Sequence, residues 1–173
     1  MSGKKVLLDE VARGLQPLYP RLWRYCIVLT GQRERADDLA QATCVRALEK
    51  SAYYQSGTKL DRWTFRIAQR LWLNELRSDA VRRGGGLRPI EEIEIPDGGL
   101  DPEMNFSVRE VLLEVLALPE AQRIAVFLVY VEGYSYREAA EMLDIPIGTV
   151  MSRLSASRAK LAGKFKPKKR DVG

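Results

Sequence analysis

The sequence predicts an all-α chain of two small helical domains joined by a flexible acidic linker, and three observations carry that prediction. Apolar residues recur at helical spacing through both halves of the chain. Between the halves, Gly84-Gly85-Gly86, Pro89, Pro96, Gly98-Gly99 and Pro102 punctuate a stretch with no such periodicity. Near the C-terminus, Tyr134 to Leu161 reads as two short helices around a tight turn, a helix-turn-helix.

The N-terminal block runs to Arg83 (residues 1–83). Leu15 to Thr30 holds apolar and aromatic residues in helical spacing, with Pro17 and Pro20 near its start, and Gly31-Gln32 breaks it. The next helix, Glu34 to Lys50, gathers Leu39, Ala40, Thr43, Cys44, Ala47 and Leu48 on one half of its circumference, the expected core face. Asp38, Gln41, Ala42, Val45 and Glu49 share the other half, a mixture of acid, amide and small apolar groups that suits either a solvated face or a docking surface. After a loop from Ser51 to Asp61, a helix from Arg62 to Arg77 carries Trp63, Phe65, Ile67, Ala68, Leu71, Trp72 and Leu76, with both tryptophans read as core. Its remaining sector bears Arg66, Arg70, Leu73 and Arg77, a basic stripe near Tyr53 and Tyr54 of the preceding loop. Cations can track phosphates while aromatic faces stack on unpaired bases, the combination that single-stranded nucleic acid requires.

The linker, residues 84–106, is acidic in its middle through Glu91, Glu92, Glu94, Asp97, Asp101 and Glu103. A structureless loop of that length is rare inside one compact domain, so it reads as a boundary between two.

In the C-terminal block, residues 107–173, a helix from Val108 to Leu118 ends at Leu118-Pro119-Glu120. Another follows from Ala121 to Val131, with Ile124, Phe127, Leu128 and Val131 at core spacing and Gly133 as its C-terminal cap. Ser135 and Glu138 then form a capping box, so a helix starts at Tyr136 with Ala139, Ala140 and Leu143 on one face. Pro146 is expected to end it, and a second helix begins at Ile147 or Gly148. On that second helix Val150, Leu154 and Leu161 make an inward stripe, while Thr149, Ser152, Arg153 and Ala156 cluster opposite. Hydroxyls plus an arginine suit a recognition helix whose N-terminal residues meet base edges and phosphates. The tail adds Lys164, Lys166, Lys168, Lys169 and Arg170, where a neighbouring phosphate backbone could be met.

Composition excludes more than it identifies. Hydrophobic residues at 46% and charged residues at 29% leave no apolar run long enough to cross a bilayer, and the N-terminus lacks the apolar core of a signal peptide, so a cytoplasmic location is expected. The net charge of +5 favours a polyanionic partner. The chain has no histidine, the commonest metal ligand and general base, and Cys26 and Cys44 lie far apart without a CxxC partner. Neither a metal site nor a cofactor is expected, and an enzyme is the least supported class. Buried, reduced thiols are the default for Cys26 and Cys44, with a regulatory disulfide open if two helices bring them together.

The stretch from Leu118-Pro119-Glu120 through Ser152-Arg153-Leu154 resembles, almost position for position, the fourth conserved region of the extracytoplasmic-function (ECF) sigma factors, bacterial initiation subunits of the sigma-70 family. R-A-D-D-L-A-Q-A-T-C-V-R-A-L-E-K is similar to that family's second region, and the W-T-F-R-I-A-Q-R-L-W-L-N-E-L-R helix to the promoter-opening segment that follows. The resemblance implies that Asp38 and Gln41, with Val45 beside them, meet the clamp of the largest subunit of core RNA polymerase. It implies that Arg66, Arg70 and Arg77, with Trp63, Asn74 and the loop of Tyr53 and Tyr54, open the upstream-ten element and capture a flipped base. Ser152 and Arg153, with Thr149, Met151, Ser155 and Ala156, match the helix that reads the upstream-thirty-five element as duplex. The acidic linker would imitate phosphates along the polymerase's RNA path, and an anti-sigma factor is the implied inhibitory partner.

The chain departs from the family's pattern at four of these positions. Arg70 and Asn74 stand where many members carry asparagine and aspartate, which makes the stripe more positive. Met151 and Ala156 stand where basic residues are usual, and loss of one such contact weakens binding by ~1–3 kcal/mol unless another residue compensates. Two other readings compete with an initiation factor: a conventional dimeric helix-turn-helix regulator, and a sigma-like decoy that binds an anti-sigma factor without directing transcription.

Overall fold

The computed structural model describes residues 3–85 and 103–162. The chain separates into two compact units, Met1–Ile95 and Pro96–Gly173. All described regular structure is helical. The acidic run Glu91 to Asp101 and the basic tail Lys164 to Arg170 lie outside the described residues.

The first unit consists of α1 (Gly3–Thr30), α2 (Arg33–Glu49), a single 3₁₀ turn (Ser51–Tyr53) and α3 (Leu60–Arg82), mutually packed. Helix α1 starts well before the expected Leu15 and runs through both prolines. The sequence suggests a boundary there because proline removes a helix donor. Pro17 and Pro20 are exposed, however, and the carbonyls they leave without a helical donor belong to exposed Arg13 and Gln16, where water can satisfy them. On the opposite side Val11, Leu15, Leu18 and Leu22 recur at alternating four- and three-residue spacing, and all are buried. Packing along that stripe outweighs the missing backbone bonds.

Gly31 turns the chain with φ +70°, its N–H donating to the Ile27 carbonyl at 2.8 Å. Helix α2 buries Ala36, Leu39, Ala40, Thr43 and Ala47, and the Thr43 hydroxyl returns to the Leu39 carbonyl at 2.7 Å. Helix α3 buries Thr64, Phe65, Ala68 and Trp72. Tyr25 stacks on Phe65 with centroids 4.7 Å apart and donates its hydroxyl to Gln69 Oε1 at 3.0 Å, fixing α1 against α3.

Helix α3 extends beyond the expected Arg77 because its last turns are tied to α2. Arg35 donates to Glu75 at 2.8 Å and Asp79 at 3.0 Å, with its guanidinium 4.7 Å from the Trp72 ring centroid. A Schellman closure then ends the helix: Gly85 donates to the Ala80 carbonyl and Gly84 to that of Val81, each at 3.0 Å and with positive φ.

The second unit consists of α4 (Phe106–Leu116), α5 (Glu120–Val126), α6 (Tyr136–Leu143) and α7 (Ile147–Leu161). Asn105 caps α4 by accepting from the Ser107 N–H at 3.0 Å. Helix α5 was expected to continue regularly to Val131; instead Phe127–Val131 widens into a π turn, which closes as Glu132 donates to the Phe127 carbonyl at 2.9 Å. That turn buries the adjacent Phe127 and Leu128, and Gly133 leaves it with φ +75°. Leu112, Val115, Ile124, Phe127, Leu128, Leu143, Val150 and Leu154 make the core.

Candidate nucleic-acid interface

On α2, Asp38, Gln41 and Val45 lie three and four residues apart on one stripe, and all are exposed, Val45 at 55%. Ala42 and Glu49 extend the same face. With the opposite stripe in the core, this face is rigid, half apolar and mildly acidic.

Where α2 hands over to α3, the 3₁₀ turn and the first turns of α3 enclose an open cavity of about 510 Å³. Arg46, Lys50, Tyr53, Trp63, Ile67, Arg70, Leu71 and Asn74 line it. Four of the sequence-predicted residues thus meet in one place: Tyr53, Trp63, Arg70 and Asn74. The exposed Tyr53 ring lies 5.4 Å from the Lys50 ammonium. Arg66 and Arg77 are exposed on the same helix outside the cavity lining, so the basic stripe reaches the cavity at Arg70 and runs past it on either side.

Two expectations need correction here. Tyr54 is buried at 6% exposure, its hydroxyl donates to the Thr58 carbonyl at 2.7 Å, and its ring lies 5.2 Å from Trp63. It buttresses the turn and offers no free face to a base. Trp63, read as core alongside Trp72, is only half-buried, because Tyr54 covers one side and the cavity opens on the other. Arg46 and Lys50 were missed. Their four-residue spacing at the end of α2, just before an aromatic loop, was the available signal.

In the second unit the capping box is complete, with Ser135 Oγ accepting from the Glu138 N–H at 3.1 Å and Glu138 Oε2 from the Ser135 N–H at 2.8 Å. Helix α6 ends before Pro146 can act: Asp144 adopts the left-handed conformation at φ 55°, and Pro146 instead occupies the N-cap position of α7. Aspartate tolerates that conformation better than most side chains, which makes the turn tight. Val150, Leu154 and Leu161 are buried as expected, together with Ser157, whose hydroxyl bonds the Leu154 carbonyl at 2.7 Å. Met151, Ser152, Ser155 and Ala156 are exposed, and Thr149 and Arg153 half-buried. Beyond them the exposed Arg158 guanidinium has its pKa raised, chiefly by the Tyr130 hydroxyl and then by that of Tyr136.

Cys26 is buried, Cys44 half-buried, and both are free thiols. Burial raises both above the ordinary thiol range, and each lies near enough for a Cys44 thiolate to push Cys26 further. Among the described residues no cluster of acidic or thiol side chains could hold a metal ion, and no described helix is long and apolar enough to cross a membrane.

Comparison with known proteins gives two family matches: sigma-70 region 2 over residues 15–82 and sigma-70 region 4 over residues 109–161. The chain is 32% identical over 166 residues to the ECF RNA polymerase sigma factor EcfG of Rhodopseudomonas palustris, covering 90% of this chain and 85% of that one. It is 28% identical over 152 residues to the ECF sigma factor SigW of Bacillus subtilis, covering 82% and 81%. Among solved structures, RpoE of Bartonella quintana in complex with the anti-sigma factor NepR matches with TM-score 0.71 and 26% identity over 88% of this chain and 94% of that one. The order of the two regions, their helical architecture and the near full-length relatives agree: this chain belongs to the ECF sigma factors of bacterial RNA polymerase.

Proposed function

We propose that this sigma factor divides promoter-specific initiation among three faces. The α2 stripe of Asp38, Gln41 and Val45 docks on the clamp of the largest subunit of core RNA polymerase. Residues 1–83 also hold the melting site, in which Tyr53, Trp63, Arg70 and Asn74, with Arg46 and Lys50, take an unpaired base of the upstream-ten element. Arg66 and Arg77 follow the phosphates of the released strand. Residues 107–173 read the upstream-thirty-five duplex through Thr149, Met151, Ser152, Arg153, Ser155 and Ala156. Residues 84–106 connect the two.

The single observation that carries this reading is the cavity between α2 and α3. Its volume of about 510 Å³ admits a nucleobase, two aromatic rings line it, and three cations surround it. Nothing in a conventional duplex-binding regulator would use it. Exposed Val45 and Ala42 beside Asp38 also offer a face for an anti-sigma factor, the kind of partner that the similar RpoE binds in its complex with NepR.

The test is charge reversal on the stripe. Holoenzyme carrying Arg66→Glu with Arg70→Glu is expected to bind promoter duplex but to leave it closed to permanganate. Open-complex formation at the wild-type level would defeat the assignment.

A further inference from the structure

Helix α7 is poor in charge where a recognition helix meets bases. Between Ile147 and Ser157 its only cation is half-buried Arg153, the other basic residues standing in the last turn. Ser152 donates its hydroxyl proton to the Thr149 carbonyl at 3.0 Å, which leaves its lone pairs facing outward. In place of charge stand Ile147 and Met151, one turn apart and 46% and 50% exposed. Gly148 lies beside them. A Cβ added there would meet nothing within 4 Å, so no packing among the described residues calls for glycine. Glycine is a weaker helix former than alanine, and its use here fits close approach of an outside body to the helix backbone.

In the major groove one base feature answers to an apolar side chain, the C5 methyl of thymine. We infer that Met151, with Ile147 beside it, reads thymine in the upstream element through that methyl group. The inference rests on α7 entering the major groove, as proposed above. It gives exposed Met151 a use on that face: selectivity comes from fitting a methyl rather than from a phosphate or guanine contact.

Holoenzyme made from the full chain and core RNA polymerase can select duplexes from a randomised library prepared once with thymidine and once with deoxyuridine, which pairs identically but lacks the methyl. The thymidine library is expected to yield an upstream motif containing thymine. On the selected duplex a single thymidine-to-deoxyuridine exchange at a contacted position weakens wild-type binding about fourfold, the worth of one buried methyl. Met151→Ala becomes indifferent to that exchange while its thermal unfolding is unchanged. Insensitivity of the wild type to deoxyuridine at every upstream position overturns the inference, as does a Met151→Ala variant that keeps the wild-type sensitivity. An unaltered motif with Ile147→Ala and Met151→Ala combined also overturns it and assigns the apolar pair to a protein partner. Failure to enrich any upstream motif from thymidine DNA would instead remove the groove-reading role of α7, and the inference with it.

Discussion

Adjacent tyrosines at the proposed melting cavity provide a sharp separation of function from stability. Tyr53 is 75% exposed, and its ring has the Lys50 ammonium 5.4 Å away on the surface. A cation–π contact this exposed contributes about 0.5 kcal/mol, the weak end for such pairs, so Tyr53→Ala costs the first unit about half of what the Tyr54 hydroxyl is worth. The same substitution removes a stacking surface worth about 1–3 kcal/mol per base, which corresponds to a roughly 5- to 150-fold loss of open complex. Tyr54 behaves in the opposite way. Tyr54→Phe deletes the 2.7 Å bond to the Thr58 carbonyl and costs about 1 kcal/mol of stability. In a domain of this size that lowers Tm by roughly 4–8 °C, with little further effect on melting once the protein is folded. Circular dichroism gives Tm, and fluorescence of a base analogue in the upstream-ten element gives open complex. Wild-type opening by Tyr53→Ala, or a fall in its Tm as large as that of Tyr54→Phe, would refute the reasoning.

Two further predictions concern the first unit. Arg35→Ala removes two charge-assisted bonds to α3 and the cation over Trp72, but Glu75 and Asp79 are 41% and 30% exposed and regain water, so the expected loss is about 1–3 kcal/mol by urea unfolding. Arg35→Lys should recover only part of it, because a point charge cannot serve both carboxylates in the same fork. The thiols predict a pH dependence. Cys26 ionises at 9.0 when unfolded and well above that when buried, so the folded state keeps a proton that the unfolded state loses, and stability falls as pH rises above about 9. Cys26→Ala should flatten that decline, and a stability profile rising between pH 9 and 10 would contradict the assignment.

The local signals were the legible ones. The capping box at Ser135 and Glu138 needs only neighbours in sequence, and it forms as read. The start of α1 was not legible, because Pro17 and Pro20 carry a helix-breaking signal that tertiary packing of Val11, Leu15, Leu18 and Leu22 overrides. The π turn after α5 has no short-range signature; it shows in the backbone, where Glu132 donates to the Phe127 carbonyl five residues back. At the cavity between α2 and α3, composition points to aromatic and basic residues, yet it does not distinguish Tyr53 from Tyr54. Which of two adjacent rings faces solvent depends on the 3₁₀ turn and on the partner that Thr58 supplies. The exposed side of α2 was readable from helical periodicity because its inner stripe is uniformly small or apolar.

The most direct test of the proposed function is transcription reconstituted from this chain, core RNA polymerase and a promoter recovered by holoenzyme selection. Chain plus core is expected to give transcripts from one defined start, while Asp38→Ala with Gln41→Ala loses core affinity and transcript together at unchanged Tm. A chain that binds duplex DNA by itself, fails to associate with core and directs no defined start would contradict it.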